Sequence, residues 1–314
     1  MTARTRGGLT KFRPVRPGAA IAIVAPASPF KWEQFDAGVA ELKRLGFAAV
    51  FESSVFERGD IVAGPADVRA RALVEAVTRD DVDALIAVRG GYGSAEVLPL
   101  LDARTFRESP KAFVGYSDLT SLHAWLNGHV GITSVHGAML EGRLAVGEAE
   151  YDRASLLGSL STEPLGELTG PTLEVIRPGA ASGPLVGGTL TQLVATLGTP
   201  YCFVPPRGAV LFIEDVAERP FRIRRMLTQL RQSGRLAHLS AIVCGQMSRC
   251  DEPGGRVTAR AVIAEFFADF PGPVLFGFSS GHTTTPMVSL PFGVETRVLG
   301  ESQPRLIVEE AAAG

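Results

Sequence analysis

The stretch Lys111-Ala-Phe-Val-Gly-Tyr-Ser117-Asp-Leu-Thr-Ser-Leu-His-Ala-Trp-Leu126 decides how the rest of the chain is read. Ala112-Phe113-Val114 is an apolar run that predicts a buried strand, and it ends at Gly115. Leu119, Leu122, His123 and Leu126 then recur at helical spacing. Gly115-Tyr116-Ser117-Asp118 is therefore a tight strand-to-helix turn. Such a turn lifts Ser117 out at the top of a sheet and aims the positive end of a new helix at whatever Ser117 attacks. A nucleophilic serine needs that geometry. The same residues also suit a plain helix start, because Ser and Asp are favoured caps whatever the function. On this stretch alone both readings stand. The nucleophile reading requires a base, an orienting acid and an oxyanion site from elsewhere in the chain.

Upstream, strands and helices alternate. Ala20 to Ala25 reads as a strand ending in Pro26-Ala27-Ser28-Pro29. Trp32 to Leu45 reads as a helix, Phe47 to Phe51 as a strand, Asp67 to Thr78 as a helix and Ala84 to Val88 as a strand. Arg89-Gly90-Gly91-Tyr92-Gly93 follows, then a short helix from Ser94 to Leu101. A further strand is predicted near Ile132 to Val135. Continuously apolar strands separated by helices imply a parallel sheet covered on both faces. Ligands of such sheets gather at the carboxyl ends of the strands. The loops Pro26 to Ser28, Arg89 to Gly93 and Gly115 to Asp118 all lie there. Glycines at Gly90 and Gly91 let a backbone N–H approach a ligand, as an oxyanion hole requires. They equally suit a turn with positive φ. The loop lacks the GxGxxG spacing and a P-loop lysine, so a nucleotide site is poorly supported.

Glu141 to Gly183 is less regular, and its glycines and prolines mark its latter part, residues 166–185, as a linker. The expected division is an N-terminal domain over 1–165, that linker, and a C-terminal domain over 186–314. In the second part, Gly187-Gly188-Thr189-Leu190 opens a short helix to about Leu197. Ala209 to Ile213 is an apolar strand ending in Glu214-Asp215. Those acids are either functional or a cap for the helix Pro220 to Gln232. Ala241 to Gly245 and Val274 to Phe276 read as strands, with a helix over Val262 to Phe267 between them. The chain closes with period-2 strands at Met287 to Pro291, Glu295 to Leu299 and Arg305 to Val308. His282 follows a glycine in a loop between strands, away from any apolar helical face, which favours a functional role over that of His123, a packed helix residue. His129 and His136 are open to either role, and His238 reads as surface.

Ser117, Glu214 and His282 thus stand at strand ends or in loops. A hydroxyl nucleophile needs an imidazole to take its proton, and the imidazole needs a carboxylate to fix its tautomer. Ser…Glu…His is one of the chain orders on which such triads are built. The groups fall on different predicted domains, so the site is expected between them.

The 314 residues are 46% hydrophobic and 20% charged, enough for about two sizeable cores. The net charge of -2 gives no reason to expect nucleic acid or an anionic membrane as partner. The N-terminus is basic without a following signal core, no apolar run reaches membrane length, and a cytoplasmic location is expected. The three cysteines, Cys202, Cys244 and Cys250, form no metal-ligand pattern with the five histidines. No metal or cofactor is expected.

Taken together, these motifs resemble the LD-carboxypeptidase family of serine peptidases, which includes murein tetrapeptide carboxypeptidases and microcin-immunity peptidases. The resemblance is carried by Val24-Ala-Pro-Ala-Ser28, Ala63-Gly64 with Asp67 and Arg69, Arg89-Gly-Gly-Tyr-Gly93, Gly115-Tyr-Ser-Asp118 and His136-Gly137. It continues through Gly187-Gly188-Thr-Leu190, Gly198-Thr-Pro-Tyr201, Leu211-Phe-Ile-Glu-Asp215 and Gly281-His-Thr283. Thr189 departs from the pattern, which has Asn in many members; the departure is expected to touch a loop near the site but not the triad. The resemblance implies a flavodoxin-like or amidotransferase-like α/β domain, a C-terminal β-rich α/β domain, and an active site in the cleft between them. It implies Ser117 as nucleophile, His282 as base and Glu214 as orienting acid, with oxyanion donors from the amides of Gly91 and Asp118. Arg89 and Tyr92 are candidate substrate contacts, Arg89 for a terminal carboxylate or else as a pin for its own glycine loop. The implied reaction releases D-alanine from a murein tetrapeptide in peptidoglycan recycling, with a homodimer as the implied assembly. Cleavage of an aminoacyl-nucleotide toxin is the alternative. That alternative calls for an aromatic stacking platform, and of the two tryptophans, Trp32 and Trp125, neither falls in the interdomain loops.

Overall fold

The computed structural model describes residues 8–314; residues 1–7, where the basic N-terminal stretch begins, lie outside the described residues. Strands β1 (Ala20–Val24), β2 (Ala48–Val50), β3 (Ala84–Ala87), β4 (Ala112–Gly115) and β5 (Ser134–His136) are parallel, in the order β2-β1-β3-β4-β5. This is the flavodoxin-like order, whose switch point lies between β1 and β3. The loops leaving those two strands are Pro26 to Ser28 and Arg89 to Gly93, so the sheet opens its crevice between them.

Alternate residues along the strands pack to opposite sides. Ile21, Ile23 and Ile86 meet Phe35 and Leu42 of α1 (Trp32–Arg44). Ala22, Val24 and Leu85 meet Ala70 and Leu73 of α2 (Ala66–Thr78). Short helices α3 (Ser94–Val97), α4 (Ala103–Glu108), α5 (Thr120–Trp125) and α6 (Arg153–Ser159) complete this half. The continuous apolar runs thus do what a doubly covered sheet demands.

The second sheet contains β6 (Gly166–Leu168), β7 (Glu174–Arg177), β8 (Gly179–Thr189), β9 (Val210–Glu214), β10 (Ala241–Gly245) and β11 (Val274–Phe278). After β12 (Leu290–Phe292) departs to the first sheet, β13 (Glu295–Gly300) and β14 (Arg305–Val308) complete it. Its order is β6-β14-β13-β8-β9-β10-β11-β7, with β8 to β11 parallel and the flanks antiparallel. Helices α7 (Leu190–Ala195), α8 (Pro220–Gln232) and α9 (Ala259–Phe266) pack on it. Val210, Leu211, Phe212 and Ile213 of β9 are fully buried. At about 1.5–3 kcal/mol per large apolar side chain, their burial offsets the cost of carrying Glu214, the next residue, into the interior.

The division into domains is less clean than the sequence reading. Residues 166–185, read as a linker, form β6, β7 and the first part of β8, all within the second sheet. The glycines and prolines there punctuate short strands, and strands of three or four residues show no sustained period. The half expected to be purely C-terminal also returns to the first sheet: β12 pairs antiparallel with β5, and Phe12 bridges to Ala313. Gly187 to Thr189 end β8, and Thr189 is the N-cap of the expected short helix, α7, which starts at Leu190. Helices α4 and α6 have no counterpart in the sequence reading.

Candidate active site

The site is built where the two sheets present the carboxyl ends of their parallel strands to each other. Ser117 follows β4 and sits at φ +64°, the left-handed region that non-glycine residues seldom occupy. A short 3₁₀ turn over Ser117–Leu119 then leads into α5. The strained turn is forced because strand and helix meet within two residues of Gly115, and it turns the serine out of both. The Asp118 amide is among the first N–H groups of this helical segment, which have no partner within it. Gly90 lies against both groups: a Cβ there would stand 3.0 Å from Ser117 Oγ and 3.2 Å from Asp118 N. Any larger residue would fill the space beside Ser117.

The Arg89 to Gly93 loop is held from several directions. Gly91 has φ +101°, and a Cβ on it would meet Ser28 Oγ at 2.4 Å. Ser28 Oγ accepts from the Tyr92 amide at 3.0 Å and donates to Ile61 O at 2.8 Å. Buried Arg69 donates to the carbonyls of Pro26, Gly64 and Gly93 at 2.7–3.0 Å and pairs with Glu96. One guanidinium thus ties together three of the matched motifs, a role the sequence reading did not give it. Arg89 itself donates to Pro29 O at 3.1 Å and lies 3.8 Å from Glu141. That is the loop-pinning role, although its side chain stays 38% exposed. Tyr92 is exposed at the surface, its hydroxyl beside Glu96.

Asp118 is buried and its side chain does not face the serine. Its Oδ2 accepts from the Ser94 amide at 2.8 Å, at the start of α3. Burial raises its pKa, and the Ser94 hydrogen bonds oppose that rise.

Across the cleft, His282 lies in the loop from β11 to β12. Its Nδ1 and its backbone N–H are each 2.8 Å from Glu214 Oε2. The second carboxylate oxygen, Oε1, accepts from Thr189 Oγ1. Thr189 and Glu214 are register partners on β8 and β9. The expectation that Thr189 would leave the candidate triad untouched is therefore corrected: its hydroxyl donates to Glu214, the candidate acid. Gly281 has φ +77°, and a Cβ there would fall 2.4 Å from the Glu214 carboxyl carbon. Ser248 donates to His282 O at 2.6 Å, and Gln246 binds Thr284 and Thr285.

Asp215 is also buried, and its role is structural. It accepts from the Thr191 amide at 2.9 Å and hydroxyl at 2.7 Å, which caps α7 rather than α8. Burial, with the neighbouring Glu214 charge, pushes its pKa up to about 6. Glu214 is different. Burial penalises its charge, but His282 beside it and the Thr189 hydroxyl overcome that penalty and hold it well below the usual carboxylate range. Burial likewise disfavours the His282 cation, and the Glu214 and Asp215 charges reverse this, so the imidazole pKa is raised. The two shifts agree: each partner favours the ionised form of the other.

The Tyr116 ring, adjacent in sequence to Ser117, meets the His282 ring at 5.2 Å between centroids, so the candidate nucleophile and candidate base are carried on segments in contact. No hydrogen bond joins Ser117 Oγ to the imidazole in this structure, as is common before substrate tightens a site. His123 and His136 make no hydrogen bond to Ser117, Glu214 or His282. His123 is buried, with Nδ1 2.8 Å from Ser134 Oγ and Nε2 2.8 Å from Gly115 O. His136 is buried among Tyr116, Phe212 and Phe292, and burial pushes its pKa down to about 3. His238 is exposed. Among the described residues no cluster of His, Cys, Asp or Glu is suited to a metal ion.

Two domains of known proteins match in chain order, the LD-carboxypeptidase N-terminal domain over residues 21–137 and the LD-carboxypeptidase C-terminal domain over residues 182–298. The probable murein peptide carboxypeptidase of Bacillus subtilis is 32% identical over 284 residues, 88% of each chain. The chain belongs to the LD-carboxypeptidase family. It is a serine carboxypeptidase, a hydrolase. The muramoyltetrapeptide carboxypeptidase of Oxalobacter formigenes superposes with a TM-score of 0.82 at 28% identity, over 93% of this chain and 99% of that one. MccF in complex with glutamyl sulfamoyl guanosine superposes at 0.87 with 23% identity, over 97% and 99%, a likeness of fold. In this LD-carboxypeptidase Thr189 donates to Glu214, the candidate acid, and Arg69 organises the glycine loop.

Proposed function

We propose that this LD-carboxypeptidase removes the terminal D-alanine of murein tetrapeptides in the cytoplasm, as a step in peptidoglycan recycling. The observation that carries the mechanism is the double hold of Glu214 Oε2 on His282, through Nδ1 and through the backbone amide. With Nδ1 bound to the carboxylate, Nε2 is left as the basic nitrogen. In the proposed reaction Ser117 attacks the L,D amide carbonyl as His282 takes its proton. The oxyanion rests on the Gly91 and Asp118 amides, where losing one donor costs about 100- to 1000-fold in rate. His282 protonates the departing D-alanine amine, and water activated by the same imidazole releases the acyl enzyme. Arg89 and Tyr92 are the proposed contacts for the peptide end. The assembly proposed is a homodimer.

The substrate class is supported by the murein relatives. Cleavage of an aminoacyl-nucleotide is the second reading, given the fold shared with MccF. Against it, Trp125 is buried edge-on to Phe106, and Trp32 is already stacked on Phe56 with Arg58 4.9 Å from its ring. Neither tryptophan stands free for a nucleobase.

The test is D-alanine release from tetrapeptides with meso-diaminopimelate or L-lysine at the third position, by wild type and by Ser117→Ala. Release lost in the variant supports the reaction and the nucleophile. Equal release by both removes Ser117 from the mechanism. Release by neither, with turnover of an aminoacyl-nucleotide amide instead, moves the protein to the second reading.

A further inference from the structure

The His282 loop is gripped from the opposite half of the molecule by a side chain that none of the matched motifs contains. Arg143 is buried, in the kinked segment Leu140–Leu144 that follows β5. Its Nη2 donates to Gly281 O and to Thr283 O, both at 3.0 Å. These are the carbonyls on either side of the catalytic imidazole. Its Nη1 donates to Glu150 O at 3.1 Å and to Glu150 Oε2 at 2.6 Å. The guanidinium also lies beside the hydroxyl of Tyr116, the residue before the nucleophile.

The segment that carries Arg143 is fixed in turn to the glycine-loop side of the cleft. The Glu141 amide donates to Val88 O at 2.8 Å, one residue before Arg89. The Gly142 amide donates to Gln34 Oε1 at 2.8 Å. Gly142 has φ +79°, so the chain turns sharply there and sends the next side chain inward. A continuous set of bonds therefore runs from the strand end that bears the glycine loop, through Arg143, to the backbone around His282.

We infer that Arg143 is a positioning residue that sets the reach of His282 to Ser117 across the cleft. Glu214 and Gly281 fix the imidazole on the C-terminal side, and the Thr189 amide ties that side to Thr120 at the head of α5, but none of these holds the backbone on both sides of His282. Arg143 does so with a planar fork whose two ends are spent in opposite halves. A lysine has one compact head and cannot span those acceptors. The inference rests on the proposed triad, with His282 as its base.

Arg143→Met and Arg143→Lys test it, with His282→Ala as control. The groups facing His282 are Glu214, Asp215, Arg143, Tyr116 and His136. In Arg143→Met, kcat is expected to fall about 10- to 100-fold, the scale of a misplacement near 1 Å, with KM within about threefold of wild type. The acid limb of the kcat/KM profile moves to higher pH, because a cation that opposes the imidazolium has gone. In Arg143→Lys the charge and the limb stay while kcat still falls. The low-field proton resonance of the His282–Glu214 hydrogen bond, which needs no substrate, shifts or broadens in both variants and is absent in His282→Ala. Wild-type kcat in either variant overturns the inference, as does a loss confined to KM or an unmoved limb in folded Arg143→Met. If Arg143→Met does not fold, kcat and the low-field proton of Arg143→Lys decide, and wild-type values of both refute it. Full activity in His282→Ala would instead overturn the triad reading.

Discussion

Replacing Thr189 by valine removes one hydroxyl and keeps the shape of the side chain. That hydroxyl is the donor to Glu214 Oε1, on a carboxylate that is 1% exposed. The other oxygen already takes both donors that His282 offers. Valine therefore leaves Oε1 ionised, buried and without its donor. The Thr189 backbone remains anchored, because its amide donates to Thr120 Oγ1. A hydrogen bond to a charged group contributes about 1.5–3 kcal/mol. Taking about 2.1 cal/mol/K of unfolding entropy per residue over the 314 residues, Tm should fall by about 2–5 °C in calorimetry. Thr189→Ser, which keeps the hydroxyl, should lose less. The deficit of Thr189→Val should be full above the unfolded Glu pKa of about 4.3. It should fade as pH falls through the depressed folded pKa of Glu214, where the charge disappears in both proteins. On the proposed function, D-alanine release should drop about tenfold or more, since Glu214, the proposed orienting acid, is less well held. A Thr189→Val protein as stable and as active as Thr189→Ser would refute the reasoning.

Two further outcomes follow from the same geometry. The His282 pKa is raised, so its ion-pair stabilisation is full below the unfolded value and is lost as pH rises through the folded one, while activity, which needs the neutral imidazole, climbs over that same interval. A kcat/KM profile measured beside a stability profile should show these opposite slopes, and parallel slopes would count against His282 as base. Ser117→Gly should be inactive yet more stable than Ser117→Ala by about 1 kcal/mol, because only glycine occupies φ +64° without strain; equal denaturation midpoints would show that the turn stores none.

The local half of this architecture was legible because it depends on short-range pattern. The run Ala112 to Val114 and the spacing from Leu119 to Leu126 required a strand, a turn and a helix, and β4, the 3₁₀ turn and α5 occupy those places. His123 read as a packed helix residue and is one. Residues 166–185 read as a linker because β6 and β7 are short flanking strands whose pairing is set by β14 and β11, more than 90 residues away. No window of sequence contains that information. The contact of Thr189 with Glu214 is hidden in the sequence for a similar reason. Its partner is 25 residues along the chain and becomes a neighbour only through the β8–β9 register. Arg143 lies in a stretch without periodicity, and its acceptors are backbone carbonyls, which carry no side-chain signature at all.

Glu214 can be buried because β9 is apolar along its length and because every oxygen of the carboxylate is met by a donor. Its charge then secures His282 strongly, but only within the C-terminal sheet. Ser117 is secured as firmly by a different sheet, through β4 and Gly90. Two rigid bodies, each well made, do not by themselves give a working distance between a serine oxygen and an imidazole nitrogen. An error near 1 Å at that junction costs about 100-fold, although it would leave both cores intact. The connections that cross the junction are therefore the ones on which rate depends more than stability. They include the pairing of β12 with β5, the Thr189 amide on Thr120 Oγ1 at the head of α5, and the Arg143 fork. Of these, only the fork reaches the backbone on both sides of His282.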